Sequence, residues 1–217
     1  MKIKTIIFYL IIGIILVSCE KKDTCPETIY SGDFTYTPKS LDSVPYLNKT
    51  TVVFRDSLNQ EIKFTVTDKG DNDWHWTLPG NCETNYYDTI FYDFNAKARE
   101  IEIKNDSINF YFTLYITTLL DWENFQEYDL LLINHNLADS NGFQNLEIMT
   151  DQRSITNKEA EKINSTILFE TEFEIFEKTY YDVYHNKYMD IYFANKLYYN
   201  SEYGIVSFKD NSGKRWV

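Results

Sequence analysis

A mainly β fold, an antiparallel sandwich, barrel or half-barrel with one or two short helices, is what three observations predict. Apolar and polar residues alternate with a period of two along several stretches, the signature of strands buried on one face. Turn residues divide these stretches at short intervals. The composition sets eighteen tyrosines and fifteen phenylalanines against only seven glycines and four prolines, which is the reverse of a disordered chain.

Taken in order, Glu20 to Ser31 is polar and lacks apolar periodicity, so residues 19–31 read as a tether and 32–217 as a single β-rich domain. Pro26, Pro38 and Pro45 argue against a helix before Thr51. Thr51 to Arg55 and the alternating Ile62, Phe64 and Val66 form a hairpin across Ser57-Leu58-Asn59-Gln60. Ile101 and Ile103 lead through Lys104-Asn105-Asp106 into the longest alternating run, Ile108, Phe110, Phe112, Leu114 and Ile116. Phe169, Thr171, Phe173 and Ile175 alternate with Glu170, Glu172 and Glu174, which puts three carboxylates on a wet face. Tyr180 to Tyr184, Met189 to Tyr199, Gly204 to Lys209 and Arg215 to Val217 complete a meander, the last two joined by Asp210-Asn211-Ser212-Gly213. Helices are expected in two places. Thr156 with Glu159 makes a capping box before Ala160, Ile163 and Ile167, and Thr118 to Tyr128 carries Leu119, Leu120, Glu123 and Phe125 at helical spacing.

The N-terminus carries an address. Lys2 and Lys4 precede an apolar run from Ile6 to Val17 that meets Glu20, Lys21, Lys22 and Asp23, too short for the roughly 20 residues of a bilayer-spanning helix. The boundary Leu16-Val17-Ser18-Cys19 resembles the lipobox of bacterial lipoproteins. That resemblance implies removal of residues 1–18 as a signal peptide and acylation of Cys19. With about 0.8 kcal/mol per buried methylene, two or three acyl chains hold a protein to a bilayer essentially permanently. Glu20 and Lys21 lack the aspartate that commonly retains such proteins at the inner membrane, so the resemblance favours the outer membrane, on its periplasmic or its exterior side. The ending from Tyr198-Tyr199 through Gly204-Ile205-Val206 to Trp216 resembles the closing hairpin of small uncharacterised Gram-negative lipoproteins, a likeness that implies no activity.

Losing Lys2 and Lys4 takes the formal charge from −12 to −14. A chain this acidic, without a basic stripe, is unsuited to nucleic acid, whose recognition depends on neutralising phosphates. With Cys19 assigned to lipid, one pair of cysteines remains, Cys25 and Cys82, and an oxidising compartment would allow them a disulfide. The chain-entropy account gives such a loop roughly 4 kcal/mol, provided the Cα atoms approach within about 7 Å.

His75, His135 and His185 are far apart in sequence and have no second ligand at helical spacing, so neither a metal nor another cofactor is expected. No H-E-x-x-H, G-x-S-x-G or C-x-x-C occurs, and no catalytic residue is assigned. Asp68-Lys69-Gly70-Asp71-Asn72-Asp73 departs from a calcium loop in its glycine and its missing closing glutamate, and reads as a solvated turn. Trp74 and Trp76 flank His75, so in a strand both indoles lie on one side about 7 Å apart. They serve either a hydrophobic core, the reading aromatic burial favours, or a glycan or protein contact. Ser43, Ser57, Thr89 and Ser107 stand in Asp-Ser/Thr-aliphatic triplets that resemble an O-glycosylation sequon of some Gram-negative envelope proteins, although Asp, Ser and Thr abound in turns anyway.

The expectation is therefore a lipid-anchored, β-rich envelope lipoprotein that binds a protein, glycan or lipid without catalysis. An enzyme acting on envelope glycans and an immunity or inhibitor lipoprotein are the alternatives, the last suited by its acidity to a basic partner. An enzyme would need a cleft with convergent carboxylates or histidines, a lipid binder a concave apolar face, and a protein or glycan binder a flat aromatic patch.

Overall fold

The computed structural model describes residues 28–82, 85–121, 126–135, 144–151, 167–186, 197–210 and 212–217. Twelve strands appear there: β1 (Thr28–Phe34), β2 (Thr51–Arg55), β3 (Glu61–Cys82), β4 (Asn85–Asn105), β5 (Phe110–Asp121), β6 (Gln126–His135), β7 (Gln144–Asp151), β8 (Ile167–Ile175), β9 (Lys178–Asn186), β10 (Tyr198–Asn200), β11 (Gly204–Lys209) and β12 (Arg215–Trp216). One short helix, α1 (Pro38–Leu41), lies between β1 and β2.

The strands form two sheets, and the expected mainly antiparallel β architecture is what the molecule has. The first, ordered β2-β3-β4-β5-β6-β7, is curled into a half-barrel; the second is ordered β12-β11-β10-β9-β8. One pairing is parallel, β1 against β4, with Thr28 opposite Phe91 and Phe34 opposite Ala96. β1 begins within the stretch read as tether.

The alternating residues fill the space between the sheets. Phe54, Phe64, Ile101, Phe112, Leu114 and Ile133 of the first sheet share one core with Tyr199, Ile205, Phe208 and Trp216 of the second. Phe208 is its hub, with ring centroids 4.9 to 5.8 Å from Phe54, Phe64, Phe110 and Phe112. Rings at these separations and mostly edge-to-face add about 0.5–1.5 kcal/mol per pair beyond area burial. The two sheets also join along one edge, because Arg55 and Val217 exchange both backbone hydrogen bonds at 2.8 Å. Lys214 reinforces the seam, its ammonium 2.6 Å from Asp56 Oδ2 and holding that carboxyl below the usual range.

The hairpin of β2 and β3 has the expected register, Thr51 opposite Thr65 and Arg55 opposite Glu61. Three expectations are corrected. The described parts of Thr118 to Tyr128 are strand and not helix: Thr118 to Asp121 ends β5 and Gln126 to Tyr128 starts β6, with Thr118 opposite Asp129. β5 buries Ile116, Thr117, Thr118 and Leu120, so both its faces are covered and its apolar run carries no usable period. A helix does form before Thr51, because Pro38 sits in its first turn where no backbone donor is needed. Asp129, fully buried, accepts hydrogen bonds from the Thr37 N–H and from the hydroxyls of Thr37, Ser40 and Thr118, fastening α1 across the end of the core. Thirdly, Asp68 to Asp73 is not a turn but part of β3, which runs unbroken for 22 residues. The expected helix after Thr156 lies outside the described residues.

Candidate binding surface

The correction at Asp68 to Asp73 decides where the tryptophans point. Asp68 pairs with Ile101 while Gly70 pairs with Glu100, so β3 spends one residue more than β4 at this bulge. A one-residue slip moves every later side chain to the opposite face. Ile62, Phe64 and Val66 thus face the core between the sheets. Trp74, Trp76 and Leu78, though they keep the same parity, share the other face with Ala96, Phe94 and Tyr92.

On that face an aromatic cluster assembles. Trp74 and Trp76 lie edge to face at 5.6 Å, Trp74 tilts against Tyr115 at 4.7 Å, and Trp76 stacks near Phe94 at 6.5 Å. Phe34 of β1 meets Phe94 edge to face at 5.5 Å, and Leu78 and Leu119 pack on the same group. Phe94 and Ala96 are buried, whereas Trp74, Trp76, Leu78 and Tyr115 are half-buried. The tryptophan pair is thus half-buried, with Trp76 packed against the buried cluster of Phe94, Ala96 and Leu120. The indole Nε1 of Trp76 is itself buried and has no hydrogen-bond partner among the described residues. Burial, together with the nearby Glu100 carboxylate, raises the Tyr115 phenol above its ordinary value.

Charge rims this surface on the bulge side. Lys69 reaches Glu100 at 2.7 Å and Glu102 at 3.1 Å, and those contacts raise its pKa against the opposing effect of burial. On the opposite face of the ribbon Arg99 bridges Asp68 at 2.5 Å and Asp71 at 3.6 Å, and the Tyr36 hydroxyl donates to Asp71. The reverse side of the ribbon is polar: His75 contacts Asn95 at 3.1 Å, Thr77 donates to Asp93, and Asn95 donates to Asp33.

The other expected positions are scattered. Cys19 and Cys25 lie outside the described residues; Cys82 ends β3 opposite Asn85. Ser57 and Ser107 are exposed in turns, Ser43 is half-buried beside α1 with its carbonyl accepting from Tyr199, and Thr89 lies on β4 opposite Asn81. His185 is buried against Glu170 at 2.8 Å, whereas His75 is exposed. Of the three carboxylates of β8, Glu172 and Glu174 are exposed and Glu170 is half-buried. Among the described residues no three His, Cys, Asp or Glu side chains converge as a metal site. A cleft of about 550 Å³ runs between Arg55, Asp56, Phe176, Glu177, Lys178 and Val217 at the seam of the two sheets. Its Asp56 is committed to Lys214 and to the backbone N–H groups of Leu58 and Gln60.

Sequence reasoning reached Trp74 and Trp76 but missed Tyr115, Phe94 and Phe34. Tyr115 alternates with core residues in β5, so its parity marks the outer face, but nothing in the chain shows that this face meets the tryptophans. Comparison with protein-family models, with curated proteins and with solved structures found no match.

Proposed function

We propose that this chain is an exported lipoprotein of the cell envelope, anchored through acylated Cys19, whose β domain is a non-catalytic binding module. One observation carries the reading: the basic start, the apolar run and Leu16-Val17-Ser18-Cys19 follow one another in register. The contact surface best suited to the binding role is the aromatic side of the β3–β4 ribbon, where Trp74, Trp76 and Tyr115 gather. Half-buried indoles and phenols of this kind give large contact area at low entropic cost. The outer membrane is the favoured location, since Glu20 follows the cysteine where an aspartate would favour retention.

The test is to replace Cys19 with alanine, fractionate the cells and weigh the mature protein by mass spectrometry. The native chain should start at residue 19, carry a diacylglyceryl group and pellet with membranes, and the variant should leave them. A native chain without the lipid, or a variant that pellets as before, overturns the proposal.

A further inference from the structure

The borders of the second sheet differ. At one, β12 is followed by Val217, whose backbone pairs with Arg55 of the first sheet. At the other stands β8, nine residues long and paired along one side with β9, from Ile167 opposite Asn186 to Ile175 opposite Lys178. Its outer side has no strand partner among the described residues. In an antiparallel ladder alternate residues turn both backbone N–H and C=O outward, so this edge offers roughly four such residues to an incoming chain. Natural proteins blunt exposed edges with proline, lysine, a bulge or extreme shortness. β8 contains neither proline nor lysine and holds its register without a shift. Its apolar side chains are open to solvent: Leu168 is 40% and Phe169 50% exposed.

The side chains of β8 select what can pair there. Glu170, Glu172 and Glu174 share one face of the strand, and Phe169, Thr171 and Phe173 the other. Glu170 is committed to the buried His185 at 2.8 Å, whereas Glu172 and Glu174 are exposed and have no ion pair among the described residues. A second copy of β8, pairing antiparallel about Thr171, would set Glu170 opposite Glu172, and like charges directly opposite one another destabilise a ladder. An incoming strand with lysine or arginine beside Glu172 and Glu174, and with apolar residues beside Phe169 and Phe173, gains at every rung instead. The formal charge of −12 acts in the same sense, drawing in a basic segment and repelling another copy.

We propose that the outer edge of β8 is a strand-addition site for an extended segment of a partner protein, one in which lysine or arginine alternates with apolar residues. Main-chain hydrogen bonds hold the segment, and the alternating side chains select it. The site lies in a different sheet from the aromatic ribbon and depends on neither that ribbon nor Cys19.

The full chain, in a non-ionic detergent, is titrated into a fluorescent peptide of alternating lysine and valine, and the anisotropy is followed. The peptide should bind, and less tightly as salt is added. The same peptide fully N-methylated keeps its charge but has no backbone donors, and should bind about tenfold more weakly or worse. The double variant Glu172→Gln, Glu174→Gln should bind the plain peptide about fivefold more weakly or worse, with an unchanged circular dichroism spectrum, because both carboxylates are exposed. Failure of the plain peptide to bind, equal binding of the N-methylated peptide, or undiminished binding by the folded double variant overturns the proposal. So does a dimer in sedimentation whose β8 amides are protected from hydrogen exchange, which would make a second copy the occupant. Each of these results leaves the anchor standing, since the Cys19 variant decides that separately.

Discussion

At the scale of single residues, two tyrosine contacts tie the two halves of the chain together. Tyr46, fully buried, accepts at its hydroxyl oxygen from the backbone N–H of Ile205, and the Tyr199 hydroxyl donates to the carbonyl of Ser43. Gly204 lies beside Tyr46 with φ +87°, and a Cβ there would overlap the phenol. Gly204→Ala therefore combines left-handed strain with overpacking and should cost roughly 2–5 kcal/mol, read as a lowered denaturation midpoint. Tyr46→Phe relieves no strain and orphans the Ile205 donor, about 1–3 kcal/mol by the same measurement. Burial also pushes the phenols of Tyr46 and Tyr199 well above the ordinary tyrosine value. The folded state thus keeps protons that the unfolded chain releases above about pH 10, so stability is full below that pH and falls as pH rises beyond it. Thermal melts at rising pH should show the loss, with tyrosinate absorbance appearing together with unfolding.

At the scale of elements, the bulge near Lys69 decides the chemistry of the longest hairpin. Without it, β3 would aim Trp74 and Trp76 at the face where Arg99 and Asn95 now lie. Deleting Lys69 should therefore abolish the contact with Tyr115 and lower stability, and the aromatic signal in near-ultraviolet circular dichroism should collapse. An unchanged spectrum would show that the register has another determinant. The bulge also explains how a ribbon of 22 and 21 residues serves two purposes. Its near half closes the core between the sheets, while its far half, flanked by β1 and not by β5, presents aromatics on one side and hydrogen-bonded polar groups on the other.

At the scale of the whole molecule, stability concentrates where the sheets meet. Phe208 touches four other phenylalanines drawn from β2, β3 and β5. Truncating it to alanine should cost about 3–5 kcal/mol in a two-state denaturation, since the rings around it cannot collapse into the space. The Arg55–Val217 backbone pair closes the adjoining edge, which turns two open sheets into a body with one protected seam and removes an unpaired edge from solvent.

Much of this architecture was legible in the amino-acid order. Alternation located β2, the start of β3, β5, β8 and the closing strands, because a side chain's face in an extended strand depends only on its parity. The order of basic start, apolar run and Leu16-Val17-Ser18-Cys19, on which the proposed anchor rests, and the placing of Trp74 and Trp76 on one side are equally local patterns. Three things were decided only in the folded molecule. The segment 118–121 became strand because both its faces found partners, which erases periodicity. Asp68 to Asp73 stayed in the ladder because β4 offered an unbroken partner, although its composition is that of a turn. The meeting of Trp74 with Tyr115, and of Thr28 with Phe91, depends on which strands lie side by side, and strand order is set by the packing of distant residues, which no local pattern encodes.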